Sequence, residues 1–357
     1  MLPVLTDNFG NPSAVHARGV RAKTALETAR GRIANVLSCA PEEVYFSHSG
    51  TLANNTAIFG AAEMKKRAGN RVVTTALEHP SVANCMARLE ERGFEVIRLK
   101  PAAGGAFAPE DLLRAVNKNT ILISCMLVNN ETGAVNPVEL LQKAARRAGA
   151  PALIHVDAIQ AFGKLPVKPA RIGADLLTVS GHKIHGPKGV GALYIKKGVS
   201  LRPYIVGGGQ ESGLFSGTEP LPAIVGFGAA AAALPDIRGE LERMQHLRRY
   251  ALEKLKALPN VAINSPAEGL PYILNLSVTG IPSQVLINYL SERGIYISAG
   301  SACKKGHRSE VLNVMGLPPA RIDSAVRVSM SRYTTAEELD FFIGELTNAT
   351  RTLRTKL

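Results

Sequence analysis

Cysteines are few in this chain, and their spacing carries no metal or disulfide signature. The 357 residues include only four of them, and no two form a C-x-x-C pair. Zinc sites and disulfide frameworks usually show such paired or regularly spaced cysteines, so we expect neither of them, and no metal site is predicted. The four are Cys39, Cys85, Cys125 and Cys303.

Signals for secretion and membrane insertion are also lacking. The opening stretch, MLPVLTDNFGNPSAVH, contains no basic segment followed by an apolar one, which a signal peptide requires. The longest apolar runs, such as TILISCMLV, are too short to cross a bilayer as a helix. We therefore expect a cytoplasmic protein in a reducing compartment, with no membrane partner.

The charge is strongly basic but lacks a recognition motif. Lys and Arg number 42 against 29 Asp and Glu, a net charge of +13. Such an excess can indicate a nucleic-acid partner. Here the basic residues are spread along the chain, and no motif of combined aromatic and basic residues accompanies them. We expect no direct nucleic-acid role, and the charge suits acidic substrates or acidic protein partners.

Short apolar runs alternate with helical patterns over the first two thirds of the chain. Residues 17–37, for example, place Ala22, Leu26, Ala29 and Ile33 at helical spacing. Continuously apolar strands between helices are typical of a parallel sheet covered on both faces. We therefore predict an α/β fold with a mostly parallel, seven-stranded sheet. The predicted strands are VYFSH (44–48), RVVTTAL (71–77), EVIRL (95–99), TILISCMLV (120–128), ALIHVD (152–157), LLTVS (176–180) and GALYI (191–195).

The pattern changes after about residue 235. A long helix with an apolar stripe is followed by two strand-like pieces, YILNLSV and GIYISAG, and by a final helix that opens on the capping-box sequence TAEE. A chain of 357 residues is also long for a single core. We therefore predict a large domain over residues 1–235 and a smaller α+β domain over residues 236–357.

Polar side chains follow five of the predicted strands. Because ligands bind at the carboxyl ends of the strands in parallel sheets, we expect these side chains to share one edge. Each one alone has a structural explanation, such as a helix cap or a solvated lysine, but five together indicate a site. The strand ends are Ser49-Gly50-Thr51, Glu78-His79-Pro80-Ser81, Asn129-Asn130-Glu131-Thr132-Gly133, Asp157 with Gln160, and Ser180-Gly181-His182-Lys183.

The residue types at these strand ends suit pyridoxal phosphate. This cofactor needs a lysine for a Schiff base, an acid partner for its pyridine nitrogen and anion ligands for its phosphate. Gly50 and Thr51 open a helix whose first N–H groups suit a phosphate. Lys183 is predicted to be the Schiff-base lysine, with Ser180 and His182 beside the phosphate.

Ordered motifs over nearly the whole chain resemble one family. They are NFGNPSAVH, SGTLANN, EHPSV, LVNNETGAV, HVDAIQAFGK, SGHKIHGPKGVGALY, GGGQESGLFSGTE, ISAGSACKKG and AVRVSMSRYTT. In this order they resemble the cysteine desulfurases, pyridoxal-phosphate enzymes of the class V aminotransferase group with fold type I. The resemblance implies a homodimeric sulfurtransferase that converts L-cysteine to L-alanine and holds the sulfur as a persulfide. It also implies a sulfur acceptor, either an iron–sulfur cluster scaffold or a tRNA-thiolation enzyme.

The resemblance also implies roles at the cofactor. Lys183 would form the Schiff base, His79 would stack on the ring and take part in proton transfer, and Asp157 would pair with the pyridine nitrogen. The other implied contacts are Gln160 and Asn130 at the ring hydroxyl or the substrate, Gly50, Thr51, Ser180 and His182 at the phosphate, and Thr218 at the phosphate of the neighbouring subunit.

Substrate binding and sulfur transfer are implied for three further residues. Arg327 would clamp the substrate carboxylate, a planar bidentate task that suits arginine, with help from Asn11. Cys303 would be the nucleophile that takes the sulfur. Its surroundings, SAGSACKKGH, support this independently, because nearby positive charge lowers the pKa of a thiol. The other three cysteines lie in apolar or helical contexts and are expected to be inert.

Three departures from the family pattern leave alternatives open. No YLDNAATT-like segment precedes FGNPS, although in the family this piece packs with the small domain and lines the site. Ser49 and Leu52 replace Gly and Glu of the motif GGTEANN, and Ser212 and Phe215 stand where arginines are usual. One alternative is a selenocysteine-lyase-like enzyme or a specialised paralogue. The other is a non-catalytic scaffold that binds pyridoxal phosphate.

Overall fold

The structure, a computed structural model, describes residues 1–300 and 308–353. The described chain forms two compact units. The first comprises Met1–Leu99, Pro109–Leu127 and Pro137–Ile237, and the second comprises Lys100–Ala108, Val128–Asn136 and the described residues of Arg238–Leu357. Two internal segments thus group with the carboxyl-terminal part of the chain, and the predicted domain limits stay a prediction.

A seven-stranded sheet forms the centre of the first unit, and each predicted run contributes one strand. The strands are β1 (Val44–Ser47), β2 (Arg71–Thr75), β3 (Glu95–Leu99), β4 (Thr120–Met126), β5 (Leu153–Asp157), β6 (Leu176–Ser180) and β7 (Gly191–Ile195). Their order across the sheet is β1-β7-β6-β5-β4-β2-β3. Six strands run the same way, and β7 runs opposite to both of its neighbours. The predicted mostly parallel sheet is confirmed.

Burial explains why these strands are apolar throughout. Every residue of β4, β5, β6 and β7 is buried, as expected where helices cover both faces of a sheet. At the edge, β3 instead exposes Glu95 and Arg98. The helices of this unit are α1 (Leu2–Thr6), α2 (Ala17–Leu37), α3 (Gly50–Lys65), α4 (Pro80–Glu91), α5 (Pro109–Ala115), α6 (Glu139–Arg147), α7 (Pro169–Ile172) and α8 (Leu221–Ala232).

The predicted helix over residues 17–37 is α2, and its small residues set how closely it packs. Its buried stripe includes Ala22, Ala29 and Ile33. A Cβ added to Gly228 of α8 would lie 2.7 Å from the Cα of Ala29. Only glycine therefore allows the two helices to approach this closely, and burial of the stripe contributes about 1.5–3 kcal/mol for each large apolar side chain.

The second unit contains a three-stranded antiparallel sheet in the order β10-β9-β8, where β8 is Val261–Ile263, β9 is Ile273–Val278 and β10 is Ala325–Ser329. The segment YILNLSV supplies β9 as predicted, but the strand predicted for GIYISAG is wrong. Of its residues only Ser298 pairs, in an isolated bridge to Arg327. Gly294 and Gly300 have φ angles of 75° and 50°, and this left-handed backbone bends the chain away from the extended form.

Helices pack on the small sheet, and the sequence predicted the first and the last of them. The last one starts at the predicted capping box, in which the Glu338 N–H donates to Thr335 Oγ1 at 3.3 Å and the Thr335 N–H donates to Glu338 Oε2 at 3.1 Å. The helices are α9 (Ile237–Lys256), α10 (Ser283–Ser291), α11 (Glu310–Val314), α12 (Pro319–Asp323) and α13 (Ala336–Thr352).

Within the described residues no single helix is long and apolar enough to cross a membrane, and only α8 and α9 together, across a break, reach that length and composition.

Candidate active site

The polar strand ends of the first unit meet at one edge of the seven-stranded sheet. The strands β6, β5, β4 and β2 lie side by side in the sheet, and each is parallel to its neighbour. The strand β1 points the same way, because β1 and β6 are both antiparallel to β7, which lies between them. Gly191, the first residue of β7, is opposite both Ser47 and Ser180. The strand ends that belong to the first unit therefore share the edge that the sequence predicted.

Lys183 lies in a tight turn directly after β6. A short 3-10 helix, Gly181–Ile184, ends at His185, whose φ of 65° is in the left-handed region. A residue other than glycine adopts this backbone conformation at a cost in free energy. Such strain is concentrated at functional sites. Lys183 is half-buried there, and its charge acts on both His79 and Asp157. The turn therefore places the lysine within electrostatic range of the histidine and the carboxylate.

His79 caps the amino terminus of α4. Its Nδ1 accepts the Ser81 N–H at 3.1 Å and lies 2.8 Å from Ser81 Oγ. Pro80 takes the first helical position, where the N–H that proline lacks would have no intrahelical acceptor. Burial lowers the pKa of His79, Lys183 lowers it further, and Asp157 opposes them. The neutral imidazole is therefore favoured at this position.

Asp157 ends β5 as a buried carboxylate. Its Oδ1 accepts the Ile159 N–H at 3.0 Å, and its Oδ2 accepts the Asn54 side-chain amide at 2.8 Å. Burial raises the pKa of Asp157, while these two donors, His79 and Lys183 oppose that rise. A buried carboxylate held mainly by neutral donors gains from a further cationic partner.

The amino terminus of α3 forms an anion cradle with the end of β6. Ser49 caps this helix with its hydroxyl, and the first N–H groups of a helix have no intrahelical acceptor. A Cβ on Gly191 would lie 2.8 Å from the Gly50 nitrogen, so the glycine keeps this terminus open. The Ser180 hydroxyl lies 2.9 Å from His182 Nδ1. N–H groups, a hydroxyl and an imidazole together suit a phosphate.

Positive charge surrounds this cradle. Burial lowers the pKa of His182, and Lys183, Lys188 and Lys164 act in the same direction. Thr51, the second residue of α3, is exposed. An excess of cations beside a helix amino terminus favours an anionic group at this place.

Three other predicted site residues belong to the first unit. Gln160 is half-buried in the turn after Asp157, and Thr218 is exposed. Asn11 is exposed, and its Oδ1 accepts the Ser13 N–H at 2.9 Å. Among the described residues, neither Asn11 nor Thr218 has a side-chain hydrogen bond to the residues around Lys183, and their roles stay predictions.

Arg327 and Asn130 are neighbours in the second unit. Arg327 Nη1 donates to the Asn130 carbonyl at 2.9 Å. Burial lowers the pKa of Arg327, and the Glu131 carboxylate opposes this. The Nε of Arg327 is buried and has no hydrogen-bond partner among the described residues. A donor is therefore left over for a ligand carboxylate. Cys303, the predicted nucleophile, lies outside the described residues.

The sequence reasoning gave no role to Asn54 or Ser81. Asn54 Nδ2 donates to Ser81 Oγ at 2.9 Å as well as to Asp157, so it joins the carboxylate to the partner of His79. The available signal was a pair of asparagines, in SGTLANN, within an apolar helix. A buried asparagine in such a helix needs a specific partner.

Two of the departures from the family pattern are accommodated by the first unit's apolar core. Phe215 is buried in the same core cluster as Phe59, and the half-buried Leu52 packs against that cluster. Ser212 is exposed and has a φ of 57°. An apolar side chain at 215 thus contributes to packing, where a charged one would need a partner.

The fold and the site define an α/β protein with a lysine, a buried carboxylate and an anion cradle at the carboxyl edge of its sheet. The model of the aminotransferase class-V family matches residues 1–342. The chain belongs to the aminotransferase class-V family.

Relatives of known name are similar over nearly the whole chain. "Cysteine desulfurase 2" of Trichormus variabilis is 40% identical over 346 residues, which are 95% of this chain and 86% of the relative. "Cysteine desulfurase IscS" of Dictyoglomus turgidum is 37% identical over 360 residues, 99% of this chain and 91% of the relative. The resemblance to the cysteine desulfurases is confirmed.

Solved structures share the fold. A "NIFS-LIKE PROTEIN" superposes with a TM-score of 0.92 at 35% identity, covering 98% of this chain and 94% of that one. The structure "SspA in complex with cysteine" gives a TM-score of 0.81 at 34% identity, covering 93% and 94%. The predicted fold type I is confirmed.

Proposed function

We propose that this chain is a cysteine desulfurase that uses pyridoxal phosphate, converts L-cysteine to L-alanine and passes the sulfur on for iron–sulfur cluster or thio-tRNA synthesis. The observation that carries the proposal is the grouping of Lys183, His79 and Asp157 beside an anion cradle. The names of the curated relatives support the same activity.

The residues of the first unit fit pyridoxal phosphate. A protonated pyridine nitrogen would give the buried Asp157 carboxylate the cationic partner that its neutral donors do not supply. The amino terminus of α3, Ser180 and His182 would hold the phosphate, and Lys183 would bind the aldehyde carbon. When bound, the cofactor supplies an electron sink for the α-carbon of an amino acid.

Residues of the second unit are proposed for the substrate. The guanidinium of Arg327 would bind the carboxylate of L-cysteine, because its buried Nε has no partner among the described residues and two parallel N–H donors match a carboxylate. Asn130, whose carbonyl already orients this guanidinium, would contact the substrate or the ring hydroxyl, and so would Gln160 of the first unit.

Cys303 is proposed to take the sulfur. Its thiolate would attack the sulfur of the substrate, so that a sulfur–sulfur bond forms and the carbon–sulfur bond of the substrate breaks. The electron pair of the broken bond stays with the carbon fragment, which leaves as alanine after protonation. The enzyme keeps a persulfide for the acceptor.

A homodimer in the cytoplasm is the proposed working form. Thr218 is exposed, and its hydroxyl would reach the phosphate bound by a second copy of the chain. Asn11, also exposed, is proposed to assist substrate binding.

Alanine release from L-cysteine tests the proposal. The purified chain with pyridoxal phosphate and a reductant should release alanine, and both Lys183→Ala and Cys303→Ala should abolish it. Lys197→Ala, which removes an exposed lysine beyond the far end of β7, is the matched control and should keep most of the activity. Full turnover in Cys303→Ala would indicate a lyase that needs no thiol, as in the selenocysteine-lyase-like alternative. Cofactor binding without alanine release would favour the non-catalytic scaffold.

A further inference from the structure

Glu131, which follows Asn130 in the turn after β4, is a buried residue with no role in the proposed reaction. Its Oε2 accepts the Ser309 hydroxyl at 2.5 Å. The same oxygen would lie 3.0 Å from a Cβ added to Gly300. Gly300 and Ser309 stand on either side of Cys303 in the sequence. One carboxylate oxygen therefore lies beside the chain both before and after the proposed nucleophile.

The two neighbours of this carboxylate suit the contact. Gly300 has a φ of 50°, where a residue with a Cβ would be strained, and the Cβ would also crowd the oxygen. Ser309 is the cap residue of α11, and its Oγ accepts the Leu312 N–H at 3.1 Å. A serine hydroxyl has a single hydrogen to donate, and Ser309 donates it to Glu131. The serine thus joins the carboxylate to a helix.

The backbone of Glu131 is held by the small sheet at the position of Arg327. The side-chain amide of Asn275, on β9, donates to the Glu131 carbonyl at 3.2 Å. Asn275 is also the partner of Arg327 in the register of β9 with β10. The preceding carbonyl, that of Asn130, accepts Arg327 Nη1 at 2.9 Å. These contacts fix where Glu131 lies relative to the substrate arginine.

The chain before Gly300 is bound to the same strand. The Ser298 N–H donates to the Arg327 carbonyl at 3.2 Å, and the Arg327 N–H donates to the Ser298 carbonyl at 2.6 Å. The Glu131 carboxylate also acts on the Arg327 charge, because it opposes the lowering of the Arg327 pKa by burial. The substrate arginine, the carboxylate and the chain that leads to Cys303 are therefore held together within the second unit.

We propose that Glu131 is a positioning residue for sulfur transfer, whose carboxylate holds the two ends of the segment carrying Cys303 at a fixed place relative to Arg327. It acts through its contacts with Gly300 and Ser309 and not on the substrate. Holding the ends of a segment lowers the entropy that is lost when a group on it reaches its target. This inference rests on the proposed function, because it names a residue on which sulfur transfer by Cys303 depends.

Separate measurements of sulfur transfer and of ligand binding distinguish positioning from a general structural role. In the holoenzyme, Ser309→Ala should slow persulfide formation on Cys303 by about tenfold, which corresponds to the loss of one hydrogen bond to a charged group. The affinity for L-alanine, followed by the absorbance of the bound pyridoxal phosphate, should stay that of the wild type, because L-alanine has a carboxylate but no sulfur. A parallel loss of L-alanine affinity would contradict the positioning role.

Further variants of Ser309 separate its contact with Glu131 from its role as a helix cap. Ser309→Thr keeps both functions and should restore the wild-type rate. Ser309→Asp can still cap α11, but it has no hydrogen for Glu131 and brings a like charge, so it should be as slow as Ser309→Ala. In the Glu131→Ala background, Ser309→Ala should cause no further loss, because the contact is already absent. A wild-type rate in Ser309→Asp, or additive losses, would overturn the inference.

An exposed ion pair at the same end of the segment provides the matched control. Arg308 Nε donates to Asp323 Oδ1 at 2.6 Å, and its Nη2 donates to Oδ2 at 2.7 Å. Asp323→Asn weakens this pair and leaves the contact between Glu131 and Ser309 in place, so persulfide formation should keep the wild-type rate. A tenfold loss in Asp323→Asn would show that any disturbance near Ser309 slows the reaction, and would contradict a specific role of Glu131.

Backbone hydrogen exchange of the holoenzyme tests the contacts of Glu131 without the reaction. Glu131→Ala should speed exchange at residues 296–300 and 308–312, on both sides of Cys303, and leave exchange in β9 unchanged. Unchanged exchange at these two stretches, or equal acceleration in β9, would overturn the inference. Absence of persulfide formation in the wild-type chain, together with the expected exchange pattern, would refute the proposed function and leave the contacts of Glu131 with both stretches standing.

Discussion

The guanidinium of Arg30, on α2, forms an ion pair with the carboxylate of Glu211, which lies 181 positions further along the chain. Nη1 and Nη2 each donate to one carboxylate oxygen at 2.8 Å, and the Phe46 N–H donates to Oε2 at 2.7 Å. Glu211 is buried and has a φ of 47°. A non-glycine residue keeps this left-handed backbone only where its surroundings fix it. The ion pair therefore ties the loop around Glu211 to α2 and β1.

Removing the charge of Glu211 should destabilise the first unit strongly. Glu211→Gln leaves the largely buried Arg30 without its main counter-charge, and breaking a buried pair from one side costs about 3–5 kcal/mol. The free energy of unfolding in urea, followed by circular dichroism, measures this loss. Glu27→Gln is the control, because Glu27 pairs with the same guanidinium at 3.0 Å from a half-exposed position and should cost less than about 1 kcal/mol. Equal losses of stability in Glu211→Gln and Glu27→Gln would contradict a structural role for the Arg30–Glu211 ion pair.

The pH dependence of stability should reveal a protonated Glu78. Burial raises the pKa of Glu78 to about 8, with a smaller rise from Asp157, while hydrogen bonds from Thr75 and the Met126 N–H oppose it. The folded chain thus holds this proton more tightly than the unfolded chain. The contribution to stability is complete below the ordinary value of 4.5 and is lost as the pH rises through about 8.

Glu78→Gln removes this titration and keeps an oxygen acceptor for both donors. Its stability relative to the wild type should therefore increase with pH, by up to about 1.4 kcal/mol per pH unit, and level off above pH 8. Unfolding curves from pH 5 to pH 9 measure the difference. Glu90→Gln is the opposite case, because Arg98 lowers the pKa of that exposed carboxyl, and its relative stability should not rise with pH. A flat difference for Glu78→Gln would show that Glu78 is ionised in the fold.

Two glycines should respond to alanine in opposite ways. A Cβ at Gly191 would lie 2.8 Å from the Gly50 nitrogen and 2.9 Å from the Val179 carbonyl oxygen. Gly191→Ala should therefore cost about 1–3 kcal/mol of stability and weaken binding of pyridoxal phosphate. Gly31, inside α2, has no atom within 4 Å of an added Cβ, and Gly31→Ala should stabilise the chain by about 0.5–1 kcal/mol. Thermal unfolding measures the change in stability of both variants, and equilibrium dialysis measures cofactor binding. Tight binding of pyridoxal phosphate by Gly191→Ala would argue against the proposed anion cradle.

The fold was predictable where burial is uniform along an element. The strands β4 to β7 are buried over their whole length, so their apolar runs mark them without ambiguity. The short strand β8 (Val261–Ile263) is only half-buried. Its sequence contains no apolar run of comparable length, so the strand was not predicted. The segment GIYISAG has strand-like composition, but Gly294 and Gly300 take left-handed backbone angles there.

The site was predictable at the level of residue types at strand ends, but its hydrogen bonds were not. Asn54 and Asp157 are 103 positions apart, and their contact depends on where α3 packs on the sheet. The pairing of Arg30 with Glu211 likewise has no local signal. Such contacts follow from the tertiary structure and not from the periodicity of a segment.

Thiol reactivity should single out one cysteine. Burial raises the pKa of Cys39 and of Cys85 to about 12, and that of Cys125 well above its usual value. The thiolate is the reactive form, and at pH 7.5 fewer than about one in ten thousand of such thiols are ionised. Iodoacetamide should therefore alkylate one thiol per native chain, at Cys303, and none in Cys303→Ala.

Peptide mass spectrometry of the alkylated chain locates the modified residue and decides between the cysteines. In urea the burial that raises these pKa values is lost, so all four thiols of the wild type and the three remaining in Cys303→Ala should react. That unfolded control shows that the reagent can reach every cysteine. Rapid alkylation of Cys39 in the native chain would be the contrary result, because Cys39 is the most exposed of the three described cysteines. Protection of Cys303 would instead mean that its thiol is not ionised at neutral pH, and would weaken its proposed role as the group that takes the sulfur.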